Sequence, residues 1–117
     1  MINGAHVIIY SRDAEADRAF IRDVLGFAHV DAGDGWLIFK LPPAEAAIHP
    51  ADGESRHEFY LMCDDLGKTL AVLTSKGADV SPVTATAWGT VASIRLPGGS
   101  DLGLYHPRHP VAHNLDQ

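Results

Sequence analysis

The sequence of 117 residues predicts an α+β fold built from two copies of one unit, each running strand, helix, strand, strand, strand. Three observations carry this. First, "KLPPAEAAIHP" (40–50) is echoed by "RLPGGSDLGLYHP" (95–107), each opening on a base and Leu-Pro and closing on His-Pro. Second, Asp13 and Asp65 stand before the two stretches with helical periodicity, and the offset between them also separates His6 from Glu58. Third, each half holds one helical stripe among several β-branched, turn-bounded runs. The division is module one, 1–52, module two, 57–108, and a tail, 109–117, within one domain.

Each element follows from local chemistry. "HVIIYS" (6–11) is β-branched and aromatic, which suits a strand. In "DAEADRAFIRDVLG", Asp13 suits the N-cap and Glu15 and Asp17 the positive end of the dipole. Ala16, Phe20 and Val24 form its apolar stripe, and Gly26 suits a left-handed C-cap. "FAHVDA", "GWLIFKL" and "AEAAIHP" are the three further strands, separated by "GDG" and "PP" turns. Module two repeats the order. "EFYLMC" (58–63) is a strand, and "DDLGKTLAVLTSKG" is a helix with Asp65 as N-cap, Leu66, Leu70 and Leu73 on one face, and Gly77 as stop. "ADVSPVTA", "TVASIRL" and "DLGLYHP" complete it. The stretches rich in Gly, Pro and β-branched residues after each third strand leave no room for the second helix of a ferredoxin-like unit.

Composition narrows the function. A formal charge of −6 argues against nucleic acid and anionic membrane as partners, since both select basic surfaces. The single cysteine, Cys63, allows no internal disulfide and no Cys-based zinc site, and its apolar surroundings suit a buried thiol. The amino-terminal stretch lacks a basic region and a run long enough to span a bilayer, so a cytoplasmic location is the expectation.

With His6 followed seven residues later by Asp13, the "FIRDVLGF" helix end, the "CDDL" helix start and the "LPGGSDLGLY" hairpin, the chain resembles the vicinal oxygen chelate superfamily. That superfamily includes glyoxalase I, extradiol dioxygenases and resistance proteins of the bleomycin and fosfomycin types. The resemblance implies that the two βαβββ modules form a curved mixed sheet around a cleft, paired within one chain or by exchange in a homodimer. A lone module would leave its concave face and edges bare.

Metal-dependent members place a ligand on the first and last strands of each module. By that pattern a divalent transition metal (Fe, Mn, Ni, Co or Zn) would be held by His6 and Glu58. The two remaining ligand positions fall on Ala46 and Gly103, which offer no side-chain donor. Strand parity turns His49 and His106 away from the cleft, and Glu45 or Asp101 would enter only through a slip in register. The same parity places Tyr10 with His6, Tyr60 and Met62 with Glu58, and Tyr105 with Gly103, where the glycine leaves room for a ligand. Trp36 precedes the third strand of module one as Trp88 does that of module two. Tyr10, Trp36, Tyr60, Met62 and Tyr105 are therefore the expected ligand-binding residues, since aromatic concave faces suit small, partly apolar molecules. No Gly-rich phosphate loop or nucleophile elbow is present, and no catalytic residue is assigned.

Three functions remain. A metal-free protein binding an aromatic or hydrophobic compound in the cleft is favoured, because two of four donors are missing. A divalent-metal-dependent lyase, isomerase or extradiol-type dioxygenase using His6 and Glu58 is the alternative. A non-catalytic accessory domain is the third.

Overall fold

The sheet of module two assembles around its last strand. In the computed structural model, which describes residues 1, 5–54 and 56–115, five of the seven strands lie in the second half. β3 (Tyr60–Met62) runs parallel to β7 (Asp101–Pro107), which pairs antiparallel with β6 (Gly89–Arg95). β6 in turn takes β4 (Asp79–Val80) and β5 (Thr84–Thr86) along its other edge, with Ser81 and Pro82 between them. Pro82 cannot donate to a ladder, so one predicted strand becomes two short ones.

Helix α2 (Leu66–Ser75) covers one face of this sheet. Asp65 caps it as expected, its side chain accepting from the Lys68 N–H at 3.0 Å. Leu66 and Leu73 of α2 meet Ala92, Ile94, Leu102 and Leu104 of the sheet, all buried, with Leu96 beside them. Ile94 is wholly inaccessible. Alternation along β6 and β7 sends these residues to the helix side and Val91, Ser93, Gly103 and Tyr105 to the other.

Module one takes a different course. Asp13 caps α1 (Ala14–Phe20), accepting from the Ala16 N–H at 3.1 Å, and the helix widens into a π-helical turn over Ile21–Leu25. Gly26 ends it at φ 73°, the left-handed conformation that glycine adopts at least cost. Phe20 and Val24 of the predicted stripe, with Leu25, pack against the core of module two. Lys76 at the end of α2 donates to the Val24 carbonyl at 3.3 Å. β1 (His29–Asp31) and β2 (Leu37–Phe39) form a separate antiparallel hairpin, pinned to α1 by the Arg18 guanidinium 4.5 Å from the Trp36 ring centre.

The expected first and fourth strands of module one, "HVIIYS" and "AEAAIHP", form no regular element and have no ladder partner among the described residues. Their composition favours strands, but composition alone forms no ladder: β3 pairs only with β7, and neither segment docks on its other side. Ile8, Tyr10 and Ile48 are consequently 65%, 85% and 95% exposed. The accessible surface, 8983 Å², exceeds the roughly 6,200 Å² expected of a compact monomer of this mass. The radius of gyration, 15.1 Å, likewise exceeds the roughly 13 Å expected for this length.

Candidate functional site

On the face of the sheet opposite α2, aromatic side chains gather at the open end of the β6–β7 hairpin. Tyr105 is the centre. Its ring lies 6.0 Å from Tyr60, 5.3 Å from Trp88 and 5.6 Å from His109, the two former edge-on. Edge-to-face pairs are each worth about 0.5–1.5 kcal/mol beyond the area they bury. The Tyr105 hydroxyl donates to the Trp88 carbonyl at 2.9 Å, which fixes the ring's tilt. Met62 stands opposite Tyr105 in the ladder and Tyr60 opposite Gly103.

Gly103 does make room, but the Tyr60 ring takes it. A Cβ at position 103 would fall on the near edge of that ring. The space that the sequence suggested for a ligand is therefore filled by a neighbouring side chain, which leaves the Tyr60 ring on the face of the sheet.

Two carboxylates flank the aromatic group. Glu58 accepts from the Tyr60 hydroxyl at 3.2 Å and lies 3.6 Å from Arg56. Burial, the Glu58 charge and the hydrogen bond to it together raise the Tyr60 phenol above its ordinary pKa. Glu45, from the extended segment of module one, reaches the tail beyond β7, and its charge adds to burial in raising Tyr105. Glu45 arrives through contact with the tail, not through the strand register that the sequence suggested.

The expected ligand-binding residues thus divide. Tyr60, Met62 and Tyr105 share one face, as parity required. Trp36 is held under Arg18 beside α1, and Tyr10 lies elsewhere, lining an open hollow of about 800 Å³ with Ser11, Arg95 and the 97–100 turn. That hollow marks the junction of the modules. Asp17 of α1 is buried there and its Oδ1 accepts from the Gly98 N–H at 2.7 Å, while Ser100 donates to the Tyr10 carbonyl at 3.3 Å. The Asp17 Oδ2 atom has no partner among the described residues. Trp88 was visible as the counterpart of Trp36. Nothing in the sequence pointed to His109, which follows a Pro-broken turn.

The metal reading meets a donor shortage. His6 is exposed and Glu58 is engaged by Arg56 and Tyr60. Among the described residues no three His, Cys, Asp or Glu side chains stand close enough together to hold an ion. In a single chain, His6 and Glu58 do not fit a metal centre without a third donor. His106 faces the helix side, its Nδ1 2.9 Å from the Cys63 carbonyl, as parity required. Its surroundings, with Asp64, Asp65, Thr90 and Val83, form a second open hollow of about 400 Å³.

The architecture is shared with solved structures. An antibiotic binding protein, TnmS3, from Streptomyces sp. CB03234 superposes with a TM-score of 0.61 at 23% identity, covering 88% of this chain and 99% of that one. Lactoylglutathione lyase from Agrobacterium tumefaciens gives 0.66 at 19% identity, covering 89% and 92%. A glyoxylase/bleomycin resistance protein/dioxygenase domain from Frankia sp. EAN1pec gives 0.63 at 17% identity, covering 97% of each chain. No family model and no curated protein matches the sequence. The chain has the α+β fold of glyoxalase/bleomycin-resistance/dioxygenase proteins, and the resemblance to the vicinal oxygen chelate superfamily is borne out as a likeness of fold. That likeness covers both ligand binders and enzymes, so the chemistry must be argued from the site.

Proposed function

We propose that this protein binds a small aromatic or hydrophobic compound on the sheet face formed by Tyr60, Met62, Trp88 and Tyr105, without metal chemistry. The observation that carries this reading is the aromatic group itself. Three rings and a methionine gather on the sheet face opposite α2, and two of the rings, Tyr60 and Trp88, remain exposed there. The likeness to an antibiotic binding protein supports the same class of activity. A planar ligand stacked on Tyr60 and Trp88 would exchange water contact for aromatic contact on both rings.

Binding is tested by titrating N-phenylnaphthylamine, an uncharged aromatic fluorophore, into the full chain. Tyr60→Ala should weaken its affinity roughly tenfold, the loss of one stacking surface. Unchanged affinity would remove the aromatic face from the binding site. Elemental analysis of protein purified without chelator tests the alternative. About one transition metal per chain, lost in His6→Ala, would establish the metal-dependent lyase, isomerase or dioxygenase instead.

We also propose that the working form is a homodimer. Val30 and Ile38, opposite each other on the β1–β2 hairpin, and Ile48 are exposed apolar side chains of module one that the described residues leave largely uncovered. The surplus of roughly 2,800 Å² per chain is enough to supply the roughly 1,000–2,500 Å² per partner that obligate homodimers bury. Sedimentation at micromolar concentration should give twice the 12.6 kDa chain mass. A cytoplasmic location and indifference to nucleic acid belong to the same reading, given the acidic charge and the absence, among the described residues, of a helix long and apolar enough to cross a membrane.

A further inference from the structure

The tail beyond β7 does not leave the molecule; it folds back over the aromatic group. His109 lies against the Tyr105 ring at 5.6 Å with the planes tilted by 32°, and Tyr105 is left only 9% exposed, against 36% for Tyr60 and 44% for Trp88. The Arg108 N–H donates to the Trp88 carbonyl at 2.9 Å, the same oxygen that takes the Tyr105 hydroxyl. Further along, the Glu45 Oε1 atom accepts from the Ala112 N–H at 2.7 Å and from the His113 N–H at 3.4 Å. Its Oε2 atom stands 3.9 Å from His109 Nε2. Among the described residues, the hydrogen bonds and ion pair that reach residues 109–113 from outside the tail and β7 are thus made by one carboxylate of module one.

From this geometry we infer that residues 109–113 form a strap closed over Tyr105, latched by Glu45, which must lift before an aromatic ligand can stack on that ring. The inference rests on the reading of the aromatic face as the binding surface. The strap is suited to opening. It contributes nothing to the buried core, its amides are near solvent, and Pro110 denies it one backbone donor. The latch is suited to holding. Glu45 has a side chain only 17% exposed, where hydrogen bonds to a carboxylate are stronger than between neutral groups. Ligand and strap compete for one surface, so the strap lowers apparent affinity by the fraction of time it is closed.

The test uses the full chain and two readouts. Trypsin cleavage after Arg108, followed as release of residues 109–117, reports the strap without any ligand. N-phenylnaphthylamine fluorescence reports the face. Glu45→Ala should speed the cleavage roughly tenfold, the loss of a charge-assisted hydrogen bond, and should tighten probe binding by a similar factor. Glu45→Gln, which keeps a neutral acceptor for the Ala112 N–H, should fall between wild type and Glu45→Ala in cleavage. Saturating probe should speed cleavage of the wild type. His109→Ala, which removes the ring but leaves the latch, should tighten the probe with little change in cleavage. Cleavage of Glu45→Ala at the wild-type rate overturns the latch. Faster cleavage without tighter binding overturns the gate. If Tyr60→Ala still weakens the probe in either case, the binding surface stands and the strap alone has failed. If Tyr60→Ala and Glu45→Ala both leave the probe unaffected, the binding surface and the gate fall together.

Discussion

The two halves of this chain carry the same local instructions and meet different fates. Module two turns its pattern into a five-stranded sheet under a helix, and among the described residues it supplies every buried apolar side chain. Module one has an equally well capped helix and equally β-branched strands, yet among its described residues the only buried one is a carboxylate, Asp17. Its helix packs on the neighbour's core and its outer strands stay unpaired. The difference teaches that capping and alternation select a conformation and stabilise it only modestly; most of the stability comes from burial, and burial needs a partner surface.

The contrast can be broken most sharply in the cores. Ile94→Ala, at an inaccessible position, should cost about 2–5 kcal/mol in denaturant unfolding. Ile48→Ala, at a position 95% exposed in the single chain, should cost under about 0.5 kcal/mol at low concentration. A cost at Ile48 that grows with protein concentration would show a second copy covering it.

The junction comes next. A Cβ at position 98 would lie 2.9 Å from the Asp17 Oδ2 atom and closer still to the Ser11 hydroxyl. Gly98→Ala should therefore destabilise by about 1–3 kcal/mol. It should also loosen the hold of α1 on this turn, seen as faster exchange of the position-98 amide, which donates to Asp17. Unchanged stability would mean that module one is not seated on this turn.

The caps give a smaller and more pointed comparison. Asp65→Ala should cost about 1 kcal/mol, the usual value of an N-cap. Asp13→Ala removes the same hydrogen bond from α1 but should cost less in global unfolding, because α1 only borders the core. Equal costs would show that the two helices are equally integrated.

The smallest effect is alkaline. Burial and nearby carboxylates raise the Tyr60 and Tyr105 phenols above the ordinary 10.0. A raised folded pKa gives stability that is complete below pH 10 and is lost as pH rises through the folded value. Tm should therefore fall above pH 10, and the fall should shrink in Tyr105→Phe.

Much of this was legible beforehand, for reasons that can be located. Both N-caps, the Gly26 stop, the Leu66 and Leu73 face and the bounds of the last strand were visible because each depends on residues within a turn or two. Tyr60, Met62 and Tyr105 shared a face because strand parity is a local rule. Trp36 and Tyr10 left the group because their positions depend on where module one sits. Glu45 and His109 met across the strap by a contact between segments far apart in sequence, which periodicity does not encode.

By itself, then, the sequence determined the repeat, the helix ends, the alternation of the strands and an acidic surface, all properties that neighbouring residues impose on one another through backbone geometry and solvation. The tertiary structure alone decided which module owns the core, that the Tyr60 ring fills the space over Gly103, and that the tail closes on Tyr105. Those outcomes depend on competition for a limited buried surface, and the winner of that competition is a property of the whole chain.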